Sequence, residues 1–297
     1  MKEVKPVYYN KFRCKADRCI HSCCIGWEID IDEETLDRYN SVQGEFAERL
    51  HSGINRDESC FILDGNERCP FLNEKGLCDI IINLGESSLC RICAEHPRFR
   101  NFFSQRTEVG LGLCCEEAAK IILTDEEPFS FTQEPQEGDE SEKEFFLKRK
   151  ALFDLAEDRS CTLEQRMEKI LLFAGAEIPV LTDGYIFKTL SSLEILDKKW
   201  KEVISMPKYG ACTVENSEKV FERLLVYFIF RHTADSLYDG MFAERTGFCV
   251  MCVKLLQRLC AGCADISEIT ETARMFSSEI EYSYDNTQTL IGECSCK

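Results

Sequence analysis

No apolar run in this chain approaches the roughly 20 residues that a membrane-spanning helix requires. The longest, Leu224 to Phe230, is far shorter. The opening residues, MKEVKPVYYNKFRC, carry no apolar stretch after their lysines, so no secretory leader is expected and the protein is expected in the cytoplasm. Positive charge is scarce. Against 53 Asp and Glu stand 36 Lys and Arg, for a formal net charge of −17. Phosphate binding needs clustered bases, so a nucleic-acid partner is not expected. The acidic balance suits a basic partner, such as a lysine-bearing protein surface, and serves solubility equally well. No internal repeat is present.

Cysteine is what the chain has in excess. Nineteen are present, eleven of them within the first 115 residues. In a reducing compartment such a set does not read as a disulfide framework, and its odd number and uneven placement weaken that reading further. Metal ligation explains the N-terminal group better. Cys14-x4-Cys19-x3-Cys23-Cys24 comes first, then Cys69-Pro-Phe-Leu and Cys78, then Cys90-x2-Cys93 with His96-Pro97-Arg98, then Cys114-Cys115. Short spacings let one turn present two sulfurs, while distant cysteines close a site from another segment. Four converging thiolates satisfy zinc or an iron–sulfur cluster. The competing account is that several are small buried hydrophobes.

The remaining cysteines read differently. Cys249-x2-Cys252 and Cys260-x2-Cys263 resemble paired zinc knuckles, yet only seven residues separate them, where about 15–20 are usual. Cys249, Val253, Leu256, Cys260 and Cys263 fall instead on one face of a helix, which predicts core packing. Cys294 and Cys296 are expected in a mobile tail, and Cys161 and Cys212 stand alone.

Patterning predicts a mainly α protein: a helical domain with a small cysteine-rich α+β metal-binding module. Residues 1–123 form the module, 124–143 an acidic linker or loop, and 144–297 the helical domain. Within the module, Asp32-Glu-Glu-Thr35 starts a helix running towards Leu50. Cys60–Leu63 and Cys69–Leu72 flank Asp64-Gly65-Asn66 as a hairpin. Leu77–Leu84 is a short helix stopped by Gly85. In the second part, Thr162-Leu-Glu-Gln165 is a capping box whose helix ends at Gly175. Phe221, Leu224, Leu225 and Phe228 form a core stripe, as do Ile266, Ile269, Ala273, Phe276 and Ile280.

Several segments together are similar to the flagellin lysine-N-methylase family, related to cysteine-cluster domains that chelate zinc or iron. They are CIHSCCIGWEIDID at 19–32, CPFLNEKGLCDIIINLGE at 69–86, CAEHPR at 93–98 and LGLCCEEAAKIIL at 111–123. YFIFRHTADSLYDG at 227–240 and ARMFSSEIEYS at 273–283 extend the likeness. Glu116 departs from the pattern, which has proline there, and Lys120 stands for an arginine.

The resemblance places the family cysteines on Cys14, Cys19, Cys23, Cys24, Cys69, Cys78, Cys93 and Cys115, with Cys60, Cys90 and Cys114 supernumerary. It implies methylation of flagellin lysines with S-adenosylmethionine as donor, and a cysteine-ligated centre, either a four-iron iron–sulfur cluster or zinc. The alternative is a non-catalytic iron- or zinc-chelating or redox-sensing interaction module.

The donor's own motifs are not evident. Val109-Gly-Leu-Gly-Leu113 lacks the third glycine and the βαβ setting of a dinucleotide-type loop, so packing is the expectation there. A radical Cys-x3-Cys-x2-Cys triad fails as well, since Cys19-x3-Cys23 is followed by Gly26. Arg98, Arg231, His232, Glu279 and Glu281 are the polar candidates for catalysis. Against them stand a structural ion pair for Arg98, a satisfied core histidine for His232, and a solvated helix face for Glu279 and Glu281. Trp27 would either shield a metal centre or simply pack.

Overall fold

The computed structural model describes residues 2–133, 138–205 and 209–296. The backbone divides into two units, Arg13–Arg98 and a larger one formed by Met1–Phe12 with Phe99–Lys297. Residues 99–123, grouped with the cysteine module by the sequence, thus fold with the helices. Part of the expected linker, residues 134–137, lies outside the described residues. Its preceding stretch is ordered against the larger unit, where Val7 N–H donates to Ser130 O at 2.9 Å and Thr132 N–H to Lys5 O at 2.8 Å.

Strand β1 (Lys2–Val4) opens the chain and belongs to the larger unit. The small unit begins its regular structure at α1 (Glu33–Asn40), whose N-terminus is closed by Asp32 accepting from Thr35 N–H at 3.1 Å. One continuous helix to Leu50 does not form. Gly44 takes a positive φ of 99° and separates α1 from α2 (Ala47–Ser52). The hairpin also differs from expectation. β3 (Cys60–Phe61) pairs with β2 (Ile54–Asn55), because Cys69 N–H is drawn instead to Cys24 O at 2.9 Å. Helix α3 (Asp79–Leu84) stops at Gly85 as expected, with φ at 87°, and α4 (Arg91–Glu95) follows. Ile29, Tyr39, Leu50, Phe61, Phe71 and Ile80 make this unit's core.

In the larger unit β4 (Arg98–Phe102) and β5 (Arg106–Leu111) complete a three-stranded sheet in the order β1-β5-β4. β1 runs parallel to β5, with Lys2 opposite Arg106 and Val4 opposite Glu108. The Gly-Leu-Gly stretch is strand and its exit, not a ligand loop. Then come α5 (Glu116–Thr124), α6 (Glu140–Ala156) and α7 (Leu163–Ala174). The Thr162–Gln165 capping box and the left-handed Gly175 bound α7, as their spacing predicts.

β6 (Ala176–Glu177), α8 (Asp183–Ser192) and α9 (Lys198–Ser205) lead to α10 (Ser217–His232), which packs on α5, α6 and α12. α11 (Ser236–Asp239), α12 (Phe242–Leu259) and α13 (Ile266–Phe276) follow. The last of these continues into a π-helical turn, Ser277–Glu281. α14 (Tyr284–Gly292) leads to β7 (Ser295–Cys296), which pairs with β6, so the C-terminal cysteines are not in a mobile tail and Cys294 is buried.

Both apolar stripes lie in the core, Ile266 alone remaining partly exposed. No helix among the described residues is long and apolar enough to cross a membrane.

Tight packing explains Gly110. A Cβ there would come within 2.8 Å of the Phe230 ring and closer still to Phe99. Gly110→Ala is therefore expected to cost about 1–3 kcal/mol through overpacking, read as a lower urea midpoint at unchanged slope. An unaltered midpoint would mean that these rings move aside freely.

Candidate functional site

The expected metal ligands are distributed unevenly. In the small unit Cys14 and Cys23 are exposed, Cys19 and Cys24 half-buried, Cys69 buried, and Cys78 and Cys93 half-buried. Cys115 belongs to the larger unit, where it precedes α5. Among the described residues no group of three or more His, Cys, Asp or Glu is placed to hold a metal ion. The expectation of an assembled chelate is therefore not met. The physical reason is that Cys14 and Cys23 face water, while Cys24, Cys69, Cys78, Cys90 and Cys93 belong to the apolar core or pack against it.

These core thiols nevertheless sense one another. A hydrogen bond with Cys23 brings Cys24 down to about 7, against the burial that opposes it. Burial pushes Cys69 up to about 12, with the Cys24 and Cys78 charges adding to it. Cys90 and Cys93 share a hydrogen bond, which favours the thiolate on Cys90 and keeps the proton on Cys93. Trp27 donates its indole N–H to Cys23 O and sets its ring 5.8 Å from that of His96. Arg98 donates to Ala94 O at 3.1 Å and to His96 O at 3.4 Å.

The larger unit does bring sequence-distant candidates together. Residues 227, 231 and 232 lie on neighbouring turns of α10, and the π-helical turn ends at Glu281 opposite them. Glu281 is reached by Arg231 Nε at 3.2 Å, His232 Nε2 at 2.6 Å and the Tyr227 hydroxyl at 3.0 Å. Arg231 Nη1 also donates to that hydroxyl at 2.7 Å. Leu113 N–H donates to the same oxygen at 3.2 Å.

Burial would raise the Glu281 pKa, but Arg231 and the His232 hydrogen bond overcome it and hold the carboxyl below its usual range. For His232 burial wins over the same hydrogen bond, and its pKa falls below the ordinary value. The resting charges are therefore a carboxylate, a guanidinium and a neutral imidazole. Cys114 lies beside this group, hydrogen-bonded to Tyr282 and raised to about 12 by burial. Glu279 is separate from it, accepting from Leu196 N–H at 2.9 Å and Asp197 N–H at 2.6 Å. Neither acid lies on a solvated face, because other elements pack on the π-helical turn from both sides.

The Glu281 cluster is closed, since the carboxylate side chain has no exposure and its partners saturate it. Open space lies elsewhere in the same unit, in a broad cleft of about 850 Å³ lined by α7, residues 178–181, α10 and α12. Its apolar wall includes Leu171, Ile178, Val180, Ile186 and Phe221. Its charged edge carries Glu164, Glu168, Glu218, Lys254 and Arg258. Lys254 is paired with Glu164, Arg258 with Asp183 at 2.6 Å, and Glu218 with Arg166 at 2.6 Å. The side chains of Glu168 and Gln257 make no hydrogen bond or ion pair among the described residues. Sequence reading missed this cleft. Lys254, Gln257 and Arg258, at helical spacing on α12, are the signal that could have marked it, overlooked beside the cysteine stripe of the same helix.

Over 148 residues the chain is 25% identical to a lysine-N-methylase of Salmonella typhimurium, and 26% identical to one of Salmonella choleraesuis. Each match covers 45% of this chain and 36% of the relative, so the chain spans about a third of the length of these relatives. It is also 26% identical over 140 residues to the flagellar biosynthetic protein FliU of Salmonella muenchen, covering 42% of this chain and 80% of that protein. No family model matches the chain. No solved structure matches it either.

The two depressed histidines set a pH dependence. His232 lies below 6.5, and His96, chiefly through burial, falls to about 4. Below 6.5 the unfolded chain binds protons that the folded one refuses, so acidification favours unfolding. The melting temperature is expected to fall between about pH 7.5 and about pH 5.5. His232→Gln and His96→Gln should each remove part of that slope. An unchanged slope in His232→Gln would mean that the imidazole binds protons equally in the folded and unfolded chain.

Proposed function

We propose that this protein transfers methyl groups from S-adenosylmethionine to lysine side chains of flagellin, in the cytoplasm. The observation that carries the reading is the similarity to proteins named lysine-N-methylase and FliU. The meeting of Tyr227, Arg231 and His232 with Glu281 supports it, since these residues come from the two C-terminal segments that resemble the family.

In the transfer, a neutral lysine amine attacks the donor methyl carbon. The N–C bond forms as the S–C bond breaks, the sulfonium becomes a neutral thioether, and an amine proton leaves to water or a carboxylate. A bare carboxylate beside the amine would hold it as ammonium. Glu281 does not act in that way, because Arg231 already neutralises it. Its part is to fix α10, whose N-terminal turns line the cleft. Glu168, unpaired at the cleft edge, is the group suited to take the departing proton through water.

A zinc ion or iron–sulfur cluster on thiols among Cys14, Cys19, Cys23, Cys24, Cys69, Cys78, Cys93 and Cys115 belongs to the same proposal. The mutual influence of Cys24, Cys69, Cys78 and Cys93 supports it. As placed, these thiols do not form a chelating set, so no step of the transfer runs through a metal.

The test is transfer of labelled methyl from S-adenosylmethionine to flagellin by anaerobically purified protein, with metal and sulfide analysis of the same sample. Label on flagellin lysines, reduced at least about tenfold by Glu168→Ala, is the expected result. A folded, metal-bearing sample that labels nothing would favour the non-catalytic chelating or redox-sensing module.

A further inference from the structure

We propose that the cleft between α7, α10 and α12 is the binding site of the methyl donor, a nucleoside joined to a charged amino acid. The inference rests on the methyl-transfer reading and assigns it a location.

The first argument is space. Sites for ligands of this size occupy about 300–1,000 Å³ and combine apolar walls with a few polar groups. The cleft measures about 850 Å³, whereas the closed Glu281 cluster leaves no room for a ligand beside its saturated carboxylate.

The second argument is complementary chemistry. The donor presents an aromatic base, a ribose diol, a sulfonium and an amino-acid end bearing one carboxylate and one ammonium. Phe221, Leu171, Ile178 and Ile186 offer the base an apolar wall. Arg258 and Lys254 offer its carboxylate two cations on successive turns of α12. Their present partners, Asp183 and Glu164, are exposed, and exposed ion pairs exchange at little cost. Gln257 is uncommitted and suits the diol. A sulfonium also gains from the carboxylates of Glu164 and Glu168 on the same edge.

The third argument is construction. The capping box of α7 fixes Glu164 and Glu168, α10 is held by buried ion pairs, and α12 is buried along most of its length. The polar groups of the cleft thus project from rigid elements, which preorganises the site.

Calorimetric titration of the full chain with S-adenosylhomocysteine, S-adenosylmethionine and adenosine tests this. Ala261→Trp, which fills the cleft, should weaken all three ligands at least about tenfold. Arg258→Ala removes only an exposed cation and should weaken the two amino-acid-bearing ligands while leaving adenosine unchanged. Circular dichroism checks that each variant is folded, and Arg258→Ala decides the matter if the tryptophan variant is not. Wild-type binding that survives both substitutions would overturn the cleft assignment and leave methyl transfer standing. Wild-type protein that binds none of the ligands and labels no flagellin would remove both.

Discussion

The larger unit depends on how α10 is held. From Phe221 to Phe230 every residue of this helix is buried, including Glu222, Arg223 and Tyr227. Its polar residues reach three different parts of the unit. Glu222 binds Arg166 at 2.6 Å and Arg159 at 2.7 Å, around the start of α7. Arg223 binds Glu157 at 3.1 Å, at the end of α6. Arg231 and His232 bind Glu281 on the π-helical turn. Apolar burial supplies the driving force, at roughly 1.5–3 kcal/mol for each large side chain. Buried ion pairs add little net stability once desolvation is counted, but a lost partner costs about 3–5 kcal/mol. They therefore act on register, because a helix shifted by one turn would strand several charges together.

That constraint reaches the cleft. Its α10 wall, at Ser217, Glu218 and Phe221, lies just before the first buried pair, and Glu218 itself holds Arg166 and Leu163 N–H. The same carboxylate thus joins the N-terminus of α7 to that of α10 where the cleft opens. The Glu281 cluster, farther along α10, fixes the other end. A third buried carboxylate extends the pattern, for Glu108 on β5 lies between Arg106 at 2.9 Å and Arg149 at 2.5 Å. Phe145 and Phe146 shield those guanidiniums. Rigidity around the cleft comes from paired charge inside an apolar shell, a combination that excludes water without leaving a charge alone.

What the sequence disclosed follows the range of the forces involved. Local signals were legible: the capping box at Thr162, the stops at Gly85 and Gly175, and the apolar stripes of α10 and α13 each depend on residues a few positions apart. Pairing at a distance was not. Cys60–Phe61 looked ready to pair forward across Asp64-Gly65-Asn66, yet it pairs backward with Ile54–Asn55, since Cys69 is bound to Cys24. Cys294 and Cys296 gave no local sign of order, and their order comes from a strand partner over a hundred residues away. Glu279 and Glu281 read as solvated because alternating acids usually are. Only the converging partners, Leu196 and Asp197 for one and Arg231 and His232 for the other, reverse that reading.

The thiols and the cleft divide the chemistry of the chain. Cysteines are denser in the small unit, where Cys24 and Cys90 are drawn towards the thiolate and Cys93 keeps its proton. Burial opposes ionisation at Cys69 and Cys78, the hydrogen bond with Cys90 and burial oppose it at Cys93, whereas hydrogen bonds favour it at Cys24 and Cys90. The proposed methyl transfer makes a different demand. It needs a neutral amine, a sulfonium and nearby carboxylates, and α7 and α12 bring Glu164 and Glu168 to the cleft edge beside Lys254 and Arg258. The cleft belongs wholly to the larger unit, which carries its own core and its own buried ion pairs.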